Sequence, residues 1–199
     1  MKTITITSVP GYDEWRIAAR ECLAQAIPPE NIIWQNSESI QDDLFGDGEQ
    51  DIAASKPKTQ HTIPKSVLIL FKYALCHQDA SRFALCYRVL WRVIFENKNL
   101  IQLKTDQDIL QLTTLAKAVK RDAYKISAFL RFREVTLDGQ EHFIAWYEPE
   151  HFSLEIKLDF FQTRFKNMRW SILTPYRAAH WDTEKLVLED NPDPRVFPD

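Results

Sequence analysis

The chain has 199 residues, of which 45% are apolar and 12% aromatic, so it can bury a real core and is excluded from the disordered class. Its net charge of -3 is unevenly distributed: residues 1–62 carry -5, residues 63–181 carry +6 and residues 182–199 carry -4. A basic centre between acidic ends is the asymmetry expected of a polyanion-binding surface.

Cys22, Cys76 and Cys86 form no C-x-x-C pair, which leaves neither a disulfide framework nor a zinc ribbon and implies buried free thiols. The four glycines cannot build a G-x-G-x-x-G or a G-x-x-x-x-G-K-[ST] phosphate loop. No cofactor is therefore expected. No apolar run approaches the roughly 20 residues of a membrane span, and MKTITITSVPGYDEW lacks the apolar region of a signal peptide. The expectation is a cytoplasmic protein without a membrane partner.

The alternation in Thr3–Thr7 predicts a strand, and Trp15, Ala18, Ala19, Cys22, Leu23 and Ala26 recur at helical spacing until Pro28 and Pro29 stop the helix. Ile32–Trp34 then predicts a second strand, completing a β-α-β segment over residues 1–35. Residues 36–62 are rich in Ser, Asp, Gln and Lys and read as a long loop or linker, with Leu44 and Phe45 as a possible docking peptide.

Three helices follow. The first starts near Pro64 with Val67, Leu68, Phe71, Ala74 and Leu75 as its apolar stripe. The second, Phe83–Phe95, is apolar on nearly every side, which predicts a central buried helix. The third is expected from Thr105, with Asp108 closing a capping box, to about Ser127. Its apolar stripe runs from Ile109 to Ile126, and Lys117, Arg121, Tyr124 and Lys125 fall on the opposite side.

Strands are predicted over Phe129–Thr136 and His142–Tyr147, joined through Asp138-Gly139, then a helix around Leu154–Phe165 and strands at Arg169–Leu173 and Leu186–Leu188. Residues 191–199 form a proline-rich tail. The expected fold is α+β: an antiparallel sheet with a packed helix, a helical layer and the N-terminal β-α-β segment, with residues 63–190 as the core domain.

Two constellations could carry function. Lys117, Lys120, Arg121 and Lys125, with Tyr124 among them, are followed by Arg131 and Arg133, expected to share one strand face, and by Arg169 and Arg177 near Trp170 and Tyr176. Cations that neutralise phosphates, interleaved with rings that stack on bases, suit a nucleic-acid groove, whereas a charged helix back can equally be a solvated face. The second constellation is Glu148-Pro149-Glu150-His151 and His180-Trp181-Asp182. If the sheet pairs these strand ends, Glu148, Glu150, His151, His180 and Asp182 converge as a metal or acid–base site. Each is equally readable as a turn or helix cap, and no metal signature is present. Ser66, Ser81 and Ser171 have no nucleophile-elbow context. Whether the protein is an enzyme stays open at this stage.

The succession HQDASRFALCYRVLWRVI (77–94), LAKAVKRDAYKISAFLRFRE (115–134), FIAWYEPEHF (143–152), FFQTRFKNMRWSILTP (160–175) and AHWDTEKL (179–186) resembles the bacterial DUF4130 family of DNA-metabolism proteins. WRIAARECLAQAIPPENIIWQ (15–35) is also similar to it. The resemblance implies a DNA-repair or DNA-metabolism role, with two companions: a DNA-modifying radical SAM protein encoded nearby, and a uracil-DNA glycosylase-like domain to which some members are fused. It carries no catalytic residues. Tyr124 stands where family members commonly have His, and Ala179 where Ser often precedes H-W-D. The leading expectation is a nucleic-acid-binding accessory protein. Its rivals are an enzyme acting on damaged nucleic acid through EPEH and HWD, and an interaction module docking the radical SAM protein.

Overall fold

The computed structural model describes residues 1–36, 62–137, 139–190 and 192. The fold is α+β. Residues 37–61 of the predicted loop, including Leu44 and Phe45, and nearly all of the proline-rich tail lie outside the described residues. Two compact units divide between Lys117 and Ala118.

In the first unit, β1 (Lys2–Ile6) and β2 (Ile32–Asn36) pair in parallel, with Ile4 opposite Trp34, and α1 (Tyr12–Ala24) makes the crossover. Ile4 and Ile6 point inward because strand side chains alternate, and Trp15, Ala18, Ala19 and Cys22 are buried because they share one helix face. Helices α2 (Lys65–Ala74) and α3 (Arg82–Phe95) complete this core. Phe83, Leu85, Cys86, Tyr87, Val89, Leu90 and Val93 of α3 are all buried, as an almost uniformly apolar helix requires. The three cysteines are free and buried.

Helix α4 (Gln107–Phe129) is the longest, and the boundary between the units falls within it. Its start corrects the expected Thr105–Asp108 box. Asp106 is the residue whose Oδ1 accepts from the amides of Asp108 and Ile109, at 3.0 and 3.2 Å. The Asp108 carboxylate instead receives Arg88 and Arg92, at 2.7 and 2.8 Å, and Arg92 also binds Asp106 at 2.6 Å. This network holds both aspartates below the usual carboxylate range, chiefly through the arginine hydrogen bonds.

The second unit is built on a five-stranded sheet in sequence order: β3 (Arg133–Leu137), β4 (Gln140–Trp146), β5 (Trp170–Leu173), β6 (Arg177–Trp181) and β7 (Leu186–Asp190). All neighbours are antiparallel except β4 and β5, whose parallel pairing is made possible by a crossover containing α5 (Leu158–Arg164). Ala145, Trp170, Ile172, Ala179 and Trp181 face one side, where Ile126 and Leu130 at the end of α4 and Leu158 and Phe161 of α5 pack on them. The opposite face carries Ile144, Leu173 and Ala178 with Val135 and Trp146.

Three local expectations change. Strand β3 starts at Arg133 rather than Phe129, because α4 continues and the Leu130 amide still donates to the Ile126 carbonyl at 3.0 Å. The helix predicted around Leu154–Phe165 is a short 3-10 turn, Glu155–Lys157, leading into α5. Strand β6 was not expected, since two adjacent alanines have low strand propensity; Ala178 and Ala179 are fully buried, where small side chains let the packing layers approach closely.

Among the described residues, Gly11 is the one glycine whose replacement meets both backbone strain and crowding. It has φ 83°, and a Cβ there would lie 2.5 Å from Ile6 Cγ2 and 3.0 Å from the Ser8 carbonyl oxygen. Gly139 also has positive φ (75°) but nothing within 4 Å. Gly11→Ala is expected to lower stability by about 2–4 kcal/mol and Gly139→Ala by about 1 kcal/mol. Urea unfolding of the two variants checks this order, and equal losses would contradict it.

Candidate functional site

Parallel pairing of β4 with β5 decides the fate of the two polar motifs. Strand β4 ends at Trp146, opposite Leu173 at the end of β5, and Leu173 lies opposite Ala178 near the start of β6. The chain leaving β4 into Glu148–His151 is therefore at one end of the sheet. His180, Trp181 and Asp182 are at the other end, where Trp181 pairs with Trp170. The expected convergence of Glu148, Glu150, His151, His180 and Asp182 does not occur. Among the described residues no group of three or more His, Cys, Asp or Glu side chains could hold a metal ion.

Each half of that expected centre has its own role. Asp122 on α4, only 2% exposed, accepts from the amides of Glu150 and His151 at 3.1 and 3.0 Å and from the Ser153 hydroxyl at 2.7 Å. The E-P-E-H segment is thus a loop wrapped on one buried carboxylate. Glu150 also pairs with Lys125 at 2.6 Å, and Glu148 accepts from the Trp146 indole at 3.0 Å. His151 is buried, and desolvation lowers its pKa.

The other half joins residues that spacing alone did not connect. Ile144 is opposite Ser171, and Ser171 is opposite His180, so on this face His142, Ser171 and His180 become neighbours. Ser171 Oγ lies 2.8 Å from His142 Nε2 and 2.7 Å from His180 Nδ1. The Nε2 atom of His180 is 3.4 Å from a Glu189 carboxylate oxygen, close enough for an ionic contact though not aligned as a hydrogen bond. The imidazole–hydroxyl–imidazole array of His142, Ser171 and His180 lines a concavity of about 300 Å³, with Glu189 beside His180. Its walls include Leu137, Ile144, Leu173 and Val187, and Arg169, Asp182 and Lys185 also line it. Burial, then repulsion from His180 and Arg169, lowers the pKa of His142. Asp182 is drawn into a turn in which its Oδ1 accepts from the amides of Glu184 and Lys185, and it is held below the usual carboxylate range mainly by those bonds.

His142, Ser171, Lys185 and Glu189 are the residues that the sequence reading missed. A signal for two of them was present: a polar side chain in the buried strand Trp170–Leu173, and a His two positions before Ile144 on the same strand face. Only the cross-strand register makes them one site.

The predicted cations separate into several groups. Lys117, Lys120, Arg121 and Tyr124 are exposed on α4 at i, i+3, i+4 and i+7, which places them along one side of the helix. Tyr124 is 68% exposed. Lys125 is bound to Glu150. Arg131 does not share a strand face with Arg133: it precedes β3 and donates to the carbonyls of Ala128 and Leu130 at the end of α4, both at 3.0 Å. Arg133 is exposed on β3. Arg177 leaves the predicted surface altogether, since it is held between Glu155 and Asp190, both at 2.5 Å. Arg169 belongs to the concavity.

A family model for a domain of unknown function, DUF4130, matches residues 80–192, more than half of the chain. The chain belongs to the DUF4130 family. No curated protein and no solved structure matches it. The DUF4130 match runs from the approach to α3 through the end of β7 and therefore contains the Asp122 loop, the exposed side of α4 and the His142–Ser171–His180 array. The N-terminal β-α-β segment, including the similar stretch 15–35, lies outside it. None of the described helices in this DUF4130 protein is long and apolar enough to cross a membrane.

Two predictions follow from these surroundings. Asp122→Ala leaves two backbone amides and a hydroxyl without their acceptor and is expected to cost about 2–4 kcal/mol, read as a lower urea midpoint. His142 and His151 both have folded-state values depressed below 6.5, so the unfolded chain takes up protons first as pH falls. Their stabilising contribution is complete above pH 6.5 and is lost as pH drops below it. A His151→Gln variant should show a shallower decline of stability with acid than the parent, and an unchanged slope would contradict the assignment.

Proposed function

We propose that this DUF4130 protein is a nucleic-acid-binding accessory factor in DNA repair or DNA metabolism. It binds through the exposed side of α4 and serves a repair or modification enzyme carried by a partner. The observation that supports the reading is Tyr124, a mostly exposed ring set among Lys117, Lys120 and Arg121 on one helix side. Lys117 one turn before Lys120 and Arg121 supplies, with them, contacts to phosphates, and the exposed phenol ring one turn further on can stack on an unpaired base. Arg133 extends the set of exposed cations. The family resemblance supports DNA as the polyanion and favours a DNA-modifying radical SAM protein or a uracil-DNA glycosylase-like domain as the partner.

Tyr at position 124 suits this role, because a phenol ring carries both a stacking face and a hydrogen-bonding tip. The separation of EPEH from HWD removes the shared acid–base centre that an enzymatic reading had invoked.

Binding to single- and double-stranded DNA, measured across a salt series, tests the proposal. Affinity is expected to fall linearly on a log–log plot against salt, and Lys117→Glu with Arg121→Glu should abolish most of it. Tyr124→Ala should weaken single-strand binding by about 1–3 kcal/mol while leaving the salt slope unchanged. Absence of binding at low salt, or binding without salt dependence, would overturn the reading.

A further inference from the structure

We infer that the concavity over His142, Ser171 and His180 is a binding site for a phosphate monoester carrying an apolar body, such as a nucleoside monophosphate or the phosphorylated end of a strand. The site is separate from the exposed side of α4 and does not depend on it.

The first support is the hydrogen-bond bookkeeping of Ser171. A hydroxyl has one proton to donate, yet Oγ has an imidazole nitrogen within 2.8 Å on each side, so at least one imidazole must donate to it, and the hydroxyl proton is used within the array when the other accepts. Two arrangements satisfy this when the array holds one extra proton. In one, His180 is the cation: its Nδ1–H donates to Oγ, Oγ–H donates to His142 Nε2, and Glu189 faces the charge. In the other, His142 is the cation: its Nε2–H donates to Oγ, and Oγ–H donates to His180 Nδ1. The two interconvert when the hydroxyl proton passes to His142 Nε2 and the His180 Nδ1 proton passes to Oγ, so no proton is gained or lost. His142 Nδ1 carries a proton in both arrangements, and in the second that N–H belongs to an imidazolium that can face an anion.

The second support is the charge pattern. Burial first, then His180 and Arg169, disfavour a proton on His142, and among the described residues no carboxylate forms an ion pair with it. The nearby acids lie toward β6 and β7. Asp182 is tied by its Oδ1 to two turn amides, and Glu189 sits beside His180 Nε2. Arg133 is exposed on β3, whose register places it opposite Ile144. An anion at His142 would draw the extra proton from the Glu189 end of the array to its own end.

The third support is shape. Arg169 and Lys185 offer two positively charged donors and the His142 ring N–H a third donor, matching the three terminal oxygens of a phosphate monoester better than the two of a carboxylate. The aliphatic walls, Leu137, Ile144, Leu173 and Val187, suit a base or sugar face rather than a bare ion.

Calorimetric titration of the full chain with a 5′-nucleoside monophosphate, the matching nucleoside and inorganic phosphate tests the inference. The nucleotide should bind at least tenfold more tightly than the nucleoside and than phosphate. A 5′-phosphorylated oligonucleotide, compared with its 5′-hydroxyl counterpart, distinguishes a strand end from a free nucleotide as the source of the group. Arg169→Gln should weaken nucleotide binding at every pH. Ser171→Ala, its folding checked by circular dichroism, should flatten the pH dependence relative to the parent, a comparison in which titration of the ligand itself cancels. Lys117→Glu with Arg121→Glu should leave nucleotide binding unchanged, so loss of duplex binding in that variant bears only on α4. Equal affinity for nucleotide and nucleoside, no binding between pH 5.5 and 8, or an unaltered pH profile in Ser171→Ala would each overturn the inference.

Discussion

The register that sets Ile144 beside Ser171 and Ser171 beside His180 is the constraint on which the second unit depends. It follows from one parallel pairing in an otherwise antiparallel sheet. A parallel neighbour cannot be reached by a tight turn, so the chain must leave β4, cross one face and return. The crossover supplies the Asp122-bound loop and α5, and both help to seal that face over Trp170 and Ile172. The same pairing sends the exits of β4 and β6 to opposite ends of the sheet. One topological choice therefore dissolves a plausible metal or acid–base centre and creates a different polar array on the other face.

The two polar clusters show how similar residue types acquire different physical roles. Asp122 is buried with every observed contact a donor, and it receives two amides and a hydroxyl, so its charge is spent on fixing backbone. His142, Ser171 and His180 lie on a concave surface, where a single hydroxyl proton lies between two imidazoles. The first arrangement is a structural lock. The second can respond to a ligand, because its charge is not fixed by a buried partner.

Much of the fold was legible in the sequence. The 3.6-residue stripes of α1 and α3, the alternation in β1 and the prolines ending α1 act within a few residues of one another, and local periodicity reports them directly. The failures also have local causes. Asp106, not Thr105, caps α4 because its carboxylate is already oriented by Arg92, a residue from another helix. Strand β6 was obscured by Ala178 and Ala179, whose small size reflects close packing rather than strand preference. Arg131, though exposed, donates to carbonyls at a helix end instead of sharing a strand face with Arg133, and Arg177 is held by Glu155 and Asp190.

By itself the sequence determined the α+β class, the buried thiols, the basic central segment and the DUF4130 motifs, since composition, periodicity and motif order need no knowledge of distant contacts. Only the tertiary structure decided which polar residues meet. His142, Ser171, His180 and Glu189 stand on four strands, and their proximity is a consequence of strand order, direction and register. A shift of one residue in any pairing would turn a side chain to the other face and break the array, and the linear spacing of those residues carries no record of that register.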